Sequence, residues 1–190
     1  MSDIDNIILQ CRQGVRQAQK ELYEQFAPQM FAVCIQYSKN RTEAEDLLHE
    51  GFLKIFEKIG QYRGDGHLGA WMRKIMVNTI LENFRNKKKI LYIDNPDFKQ
   101  DNIIDDSDEP ENNYLEDNVD IEFLKQLIEQ LPDKYKIVFN LYITENYSHE
   151  KIASELGISV STSKSNLSRA RKWLRNKIKE QLTTKIDVRL

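Results

Sequence analysis

The apolar positions of this 190-residue chain recur every three or four residues over most of its length. That spacing predicts helices, and no segment alternates apolar and polar residues as a half-buried strand would. An opening helix is expected from Asp3 to Arg12, stopped by Gly14. A second pattern runs through Ala18, Leu22 and Phe26, with Pro28 marking a break or a new first turn, and a third helix carries Phe31, Cys34 and Tyr37. Thr42 and Glu45 have capping-box spacing, in which each side chain satisfies an orphan backbone donor. They open a helix with Leu47, Leu48, Phe52, Ile55, Phe56 and Ile59 along one side, ended by Gly60. Gly51 inside that helix should cost about 1 kcal/mol relative to Ala. The loop Gly64-Asp65-Gly66 leads into Leu68, Trp71, Met72, Ile75 and Met76, at helical spacing down to Phe84, with Trp71 assigned to the core.

The pattern fails between 91 and 118, where Pro96, Pro110 and many Asp and Asn leave little to bury; this stretch is expected to be a flexible or loosely docked linker. Periodicity resumes at Val119 with Phe123, Leu127 and Leu131, and Pro132 starts a helix through Val138, Phe139 and Tyr142. The expected fold is therefore all-α: two small helical domains, 1–90 and 119–190, joined by an acidic linker, 91–118.

Ser148 to Ile178 carries the most specific local signals. Ser148 can cap a helix holding Ile152, Ala153 and Leu156, which Gly157 ends by adopting the left-handed conformation. Ser159 can cap the next helix, with Leu167, Ala170, Leu174 and Ile178 inside. Two helices joined by a short glycine-containing turn form a helix-turn-helix, whose second helix enters the major groove. That helix holds Lys164, Arg169, Arg171, Lys172, Arg175, Lys177 and Lys179 and no acid from Val160 to Lys179. Its cations can meet phosphates while Ser161, Thr162, Ser165, Asn166 and Ser168 reach base edges. Ser163 should instead face the core, its hydroxyl bonding the Ser159 carbonyl. Replacing it by Val should then stabilise the domain by about 1 kcal/mol.

Charge sharpens this reading. The formal net charge is −2, yet the segment from Leu91 to Asp120 is −10, leaving +8 for the rest. Polyanion-binding modules joined by an acidic spacer would be charged this way, and a solvated face on each helix is the plainer alternative. Cys11 and Cys34 lack metal or redox spacing and should be buried thiols. Met1 to Gln10 has no secretory character, no apolar run reaches the roughly 20 residues of a membrane span, and the cytoplasm is the expected compartment. His49-Glu50 and His149-Glu150 lack the second His of a zinc-protease motif. With no phosphate loop or nucleophile motif either, neither catalysis, metal nor cofactor is expected.

The run from Ser148-His149-Glu150-Lys151-Ile152-Ala153 through Gly157-Ile158-Ser159 to Arg169-Ala170-Arg171 resembles the promoter-reading domain of extracytoplasmic-function sigma factors. Ser163 and Asn166 depart from the family's usual residues. Glu45-Asp46-Leu47, Glu50 and Phe52-Leu53-Lys54-Ile55-Phe56 resemble the family's polymerase-gripping segment, with His49 and Gly51 in place of commoner residues. Leu68, Trp71, Arg73, Lys74, Ile75, Asn78 and Arg85 follow its segment for melting the −10 element.

The resemblance implies a sigma factor that binds core RNA polymerase and directs initiation by recognising and melting promoter DNA. It implies double- and single-stranded promoter DNA as partners, an anti-sigma factor, and no membrane insertion. Asp46, Leu47, Glu50, Phe52 and Phe56 would grip polymerase. Tyr62, Arg63, His67, Arg73, Lys74, Asn78 and Arg85 would act at the −10 element. Ser161, Thr162, Lys164, Ser165, Asn166, Ser168, Arg169, Arg171 and Lys172 would read the −35 element. Tyr62 could equally be packing, and Lys87-Lys88-Lys89 could meet phosphate. The competing readings are a polymerase-independent helix-turn-helix regulator and a protein that merely binds another sigma factor.

Overall fold

The computed structural model describes residues 3–94 and 120–187, with side chains for 3–86 and 120–181; the rest of the acidic segment and the side chains of Lys87-Lys88-Lys89 lie outside the described residues. All regular structure among the described residues is helical, and the chain divides into two compact units, Met1–Lys88 and Lys89–Leu190. No helix among them is long and apolar enough to cross a membrane.

In the first unit, α1 (Asp3–Arg12) ends at Gly14, whose φ of +77° is the left-handed turn a glycine adopts without strain. The expected break at Pro28 does not occur: α2 runs unbroken from Arg16 to Tyr37. Pro28 denies Glu24 its helical hydrogen bond, but both residues are exposed and water can serve that carbonyl. The start of α3 (Arg41–Lys58) also departs from expectation. Its cap is Asn40, which accepts from the Glu43 amide at 2.9 Å, while the Glu43 carboxylate accepts from the Lys39 amide at 2.7 Å. Asn is the better cap, so the helix starts two residues before Thr42, and Glu43 satisfies the amide of the residue before the cap rather than closing a reciprocal box. A 3-10 turn, Ile59–Gln61, follows, and α4 spans Leu68–Asp94.

Leu22, Met30, Val33 and Cys34 from α2, Phe52 and Ile55 from α3 and Met72, Met76 and Leu81 from α4 form the core. Gly51 belongs to that packing. A Cβ there would stand 2.3 Å from the Met76 Sδ, so this glycine lets Met76 lie against the α3 backbone. Both cysteines are buried free thiols. Burial pushes the Cys34 thiol up to about 12 against a backbone hydrogen bond that lowers it, and burial and the Glu21 charge raise Cys11.

The second unit contains α5 (Ile121–Glu129), α6 (Asp133–Ile143), α7 (His149–Leu156) and α8 (Val160–Asp187). Asp120 caps α5, and Pro132 stands at the start of α6 as expected. Leu127, Leu131, Ala170 and Leu174 form a buried cluster under Phe123, Tyr135, Phe139 and Trp173. Ile152, Ala153, Leu156 and Leu167 bury α7 against α8.

Candidate nucleic-acid interface

The crossing of α7 and α8 follows from three local choices. Ser148 accepts from the Lys151 amide at 3.2 Å and starts α7. Gly157, at φ +62°, ends it. The Ser159 hydroxyl accepts from the Thr162 amide at 3.0 Å and starts α8. The small buried Ala153, four residues before Gly157, lets the helices meet closely. The face of α8 is thereby fixed: Ser163, Asn166, Leu167, Ala170 and Leu174 point inward, while Ser161, Lys164, Ser168, Arg171, Lys172 and Arg175 form an exposed stripe. Thr162, Ser165 and Arg169 flank it, half-buried.

Asn166 is a correction. At 8% exposure, three residues after Ser163 and four before Ala170, it sits on the inward face and is removed from the base-reading set. Ser163 is fully buried, as its spacing implies, but its hydroxyl bonds His149 Nδ1 at 2.9 Å rather than the Ser159 carbonyl, which receives the Ser163 backbone amide. His149 in turn stacks on Tyr142, ring centroids 4.8 Å apart, and Arg171 lies 6.0 Å over the Tyr142 ring. Burial lowers the His149 pKa, as do the charges of Lys164 and Arg171, against the opposing pull of Glu150.

The first unit offers a different surface. Gln61, Tyr62, Arg63, Asp65, Gly66, His67, Ala70, Trp71 and Lys74 line an open cavity of about 400 Å³. Tyr62 and Trp71 form its aromatic wall, ring centroids 5.5 Å apart, and the Tyr62 hydroxyl donates to the Gly66 carbonyl. Tyr62 is therefore packed and cavity-lining at once, and Trp71 is half-buried in that wall rather than enclosed in the core. The structure thus gathers Tyr62, Arg63, His67 and Lys74. Asn78 and Arg85 continue the Lys74 face along α4, the last about 17 Å away at 1.5 Å per residue. Arg73 is not brought in: one turn before the buried Val77, it borders the core side.

On α3, Asp46 is exposed and Phe56 half-buried, but Leu47 and Phe52 are 6% and 2% exposed and pack inward, so neither can meet a partner as expected. Glu50 faces α4: its carboxylate accepts from Lys54 at 2.8 Å and from the Asn83 amide, and Lys54 also bridges to Glu82 at 2.7 Å. Burial pushes Glu50 up, yet the bonds from Lys54 and Asn83 with the Lys54 charge hold it below its usual value. Leu53, at 65% exposure, lies between Asp46 and Glu57 on one outward stripe. The signal was present: Leu53 falls off the stripe of Leu48, Phe52, Ile55 and Ile59.

Residues 22–90 match the family model Sigma-70 region 2, and residues 123–174 match Sigma-70, region 4. The chain is 25% identical over 178 residues to the ECF RNA polymerase sigma factor SigW of Bacillus subtilis, covering 91% of this chain and 95% of that one. It is 27% identical over 156 residues to the ECF RNA polymerase sigma factor SigE of Mycolicibacterium smegmatis, where the match covers 82% of this chain but 60% of that relative. Among solved structures, the sigma factor RpoE in complex with the anti-sigma factor NepR from Bartonella quintana aligns at a TM-score of 0.47 and 22% identity, covering 84% of this chain and 96% of that chain.

Proposed function

The chain belongs to the sigma-70 family as an extracytoplasmic-function RNA polymerase sigma factor, a DNA-binding initiation factor, and we propose from that premise how its surfaces divide the work. The exposed stripe of α8, from Ser161 to Arg175, lies in the major groove of the −35 element. Lys164, Arg171, Lys172 and Arg175 hold phosphates or guanines, and Ser161 and Ser168 reach base edges. The cavity of the first unit receives a base that leaves the −10 duplex. Tyr62 and Trp71 supply a stacking wall, while Arg63 and Lys74 supply the cationic rim single strands require. Asn78 and Arg85 follow the strand along α4.

Asp46 and Leu53 on α3 grip core polymerase, with Glu50 bracing α3 against α4. An anti-sigma factor would silence the protein by covering this outward strip of α3. The protein works in the cytoplasm, beside polymerase and DNA, and makes or breaks no covalent bond itself.

The observation that carries the reading is the single basic face of α8, set by Ser148, Gly157 and Ser159 and carried by a chain with both family regions. Run-off transcription with core polymerase on a promoter library tests it. Transcripts should start at a defined subset of promoters only when the full chain is added. DNA binding without such transcripts would favour a polymerase-independent regulator instead.

A further inference from the structure

α1 lies outside both matched regions, which begin at residue 22 and residue 123. Its last residue nevertheless bonds the backbone of Tyr62, which lines the cavity. Arg12 donates through Nη2 to the Tyr62 carbonyl at 2.5 Å and through Nε to the Ile59 carbonyl at 3.4 Å. Those carbonyls end α3 and its 3-10 turn, where the negative end of the helix dipole favours a cation, and the Ile59 carbonyl accepts from the Tyr62 amide as well. Arg12 is itself held in place, because Ile8 and Cys11 bury α1 just before it.

The loop it grips is mostly exposed. Gln61, Arg63, Gly64, Asp65, Gly66 and His67 are exposed, and both glycines adopt positive φ, +84° and +154°. Tyr62 ties the front of that loop to the domain, its backbone through Arg12 and its ring through Trp71. Its hydroxyl closes the loop on Gly66, and the His67 carbonyl anchors the far end by accepting from the Ala70 and Trp71 amides. Without Arg12 the Tyr62 backbone could shift, and the aromatic wall and Arg63 would move with it.

We propose that Arg12 is a positioning residue for −10 recognition, its guanidinium fork fixing the Tyr62 loop so that the cavity discriminates among bases. The proposal rests on the reading of the cavity as the base-binding site, and the experiment separates the two. Core polymerase reconstituted with the full chain transcribes a promoter library randomised at both elements, and the transcripts are sequenced. Arg12→Gln, Arg12→Lys and Lys74→Ala are compared with the parent chain, alongside thermal unfolding and core-polymerase binding.

Arg12→Gln should flatten the −10 base preference by about tenfold, within the range of one well-formed base contact, while the −35 preference and polymerase affinity stay unchanged. Arg12→Lys should keep most of the defect, because one ammonium cannot serve both carbonyls in the fork geometry. Arg12→Lys behaving like the parent would overturn the fork. A flattened −10 preference in Lys74→Ala but not in Arg12→Gln would overturn the role of Arg12. Intact −10 preference in both would remove the cavity reading and this proposal together. Equal loss at both elements, or loss of polymerase binding, would reduce Arg12 to support of the fold and sink the assignment.

Discussion

The helix-turn-helix of the second unit and the cavity of the first both face DNA in this reading, but they are assembled over different distances along the chain. The recognition face is fixed by Ser148, Gly157, Ser159 and the spacing within α8, all within one contiguous stretch. The cavity instead joins α4 and the loop after the 3-10 turn, and an arginine 50 residues before Tyr62 bonds the Tyr62 carbonyl behind it. A surface encoded locally can be altered one contact at a time. One encoded across the domain shares its supports with the core, and its substitutions should couple.

The largest effect that would sharpen this contrast is expected on α3. Leu53→Asp or Asp46→Arg should weaken core-polymerase binding by about 2 kcal/mol or more, as at a contact hot spot. Both residues are exposed, so stability should change by less than about 0.5 kcal/mol. Unaltered binding in a quantitative pull-down would remove this strip from the interface.

Next comes Arg171→Ala on the α8 stripe. If Arg171 meets a phosphate, the slope of log affinity against log salt should become shallower by about 0.9. If it reads a guanine, the loss of about 1–3 kcal/mol should depend on sequence. Equal affinity at every salt concentration and sequence would take Arg171 off the DNA. Because the face is encoded locally, the −10 preference should be untouched either way.

The same contrast explains what could be read from sequence. The Ser148 and Ser159 caps, the left-handed Gly157 and the inward position of Ser163 follow from spacing and residue chemistry, whereas the cap of α3 falls on Asn40 rather than Thr42. Leu47 and Phe52 are instructive misses, because periodicity already turned them inward while the family resemblance placed them at an interface. Asn166 misleads through its short polar side chain, although its spacing from Ser163 and Ala170 turns it inward. Burial against a neighbouring helix decides such positions, and a motif column does not report it. Pro28 misleads for a different reason: its cost depends on whether water can reach the Glu24 carbonyl. Neither the Arg12 contact nor the Glu50–Lys54–Glu82–Asn83 brace has a local signal, since each joins residues at least 28 positions apart at one of its contacts.

Gly51→Ala should expose this non-local coupling. Helix propensity alone favours Ala by about 1 kcal/mol. Its Cβ would collide with the buried Met76, however, and overpacking of that kind costs about 1–3 kcal/mol. The net should be a destabilisation of about 1 kcal/mol, read as a lower melting temperature of the full chain, and Met76→Ala in the same chain should relieve the collision. A higher melting temperature for Gly51→Ala alone would show that Met76 yields freely.

The smallest effect is expected at Ser163, where two terms oppose each other. Val would add apolar burial worth about 1 kcal/mol. It would also remove the bond to His149 Nδ1, and a neutral hydrogen bond of this kind contributes about 1 kcal/mol. The rise of about 4–8 °C that burial alone implies for a small domain should therefore be absent, and promoter affinity should stay the same because the residue faces inward. Acid distinguishes the partners. A fold that holds His149 below its ordinary pKa of 6.5 binds fewer protons there than the unfolded chain does. Its contribution is complete above about pH 6.5 and declines as the pH falls through that value. Burial, Lys164 and Arg171 remain in Ser163→Val, so that variant should keep the decline, whereas His149→Gln should remove it. Melts of the full chain at about pH 8 and pH 5.5 span the window. A clear rise in melting temperature for Ser163→Val would mean the imidazole bond adds no stability, and an undiminished acid decline in His149→Gln would assign that decline to another group.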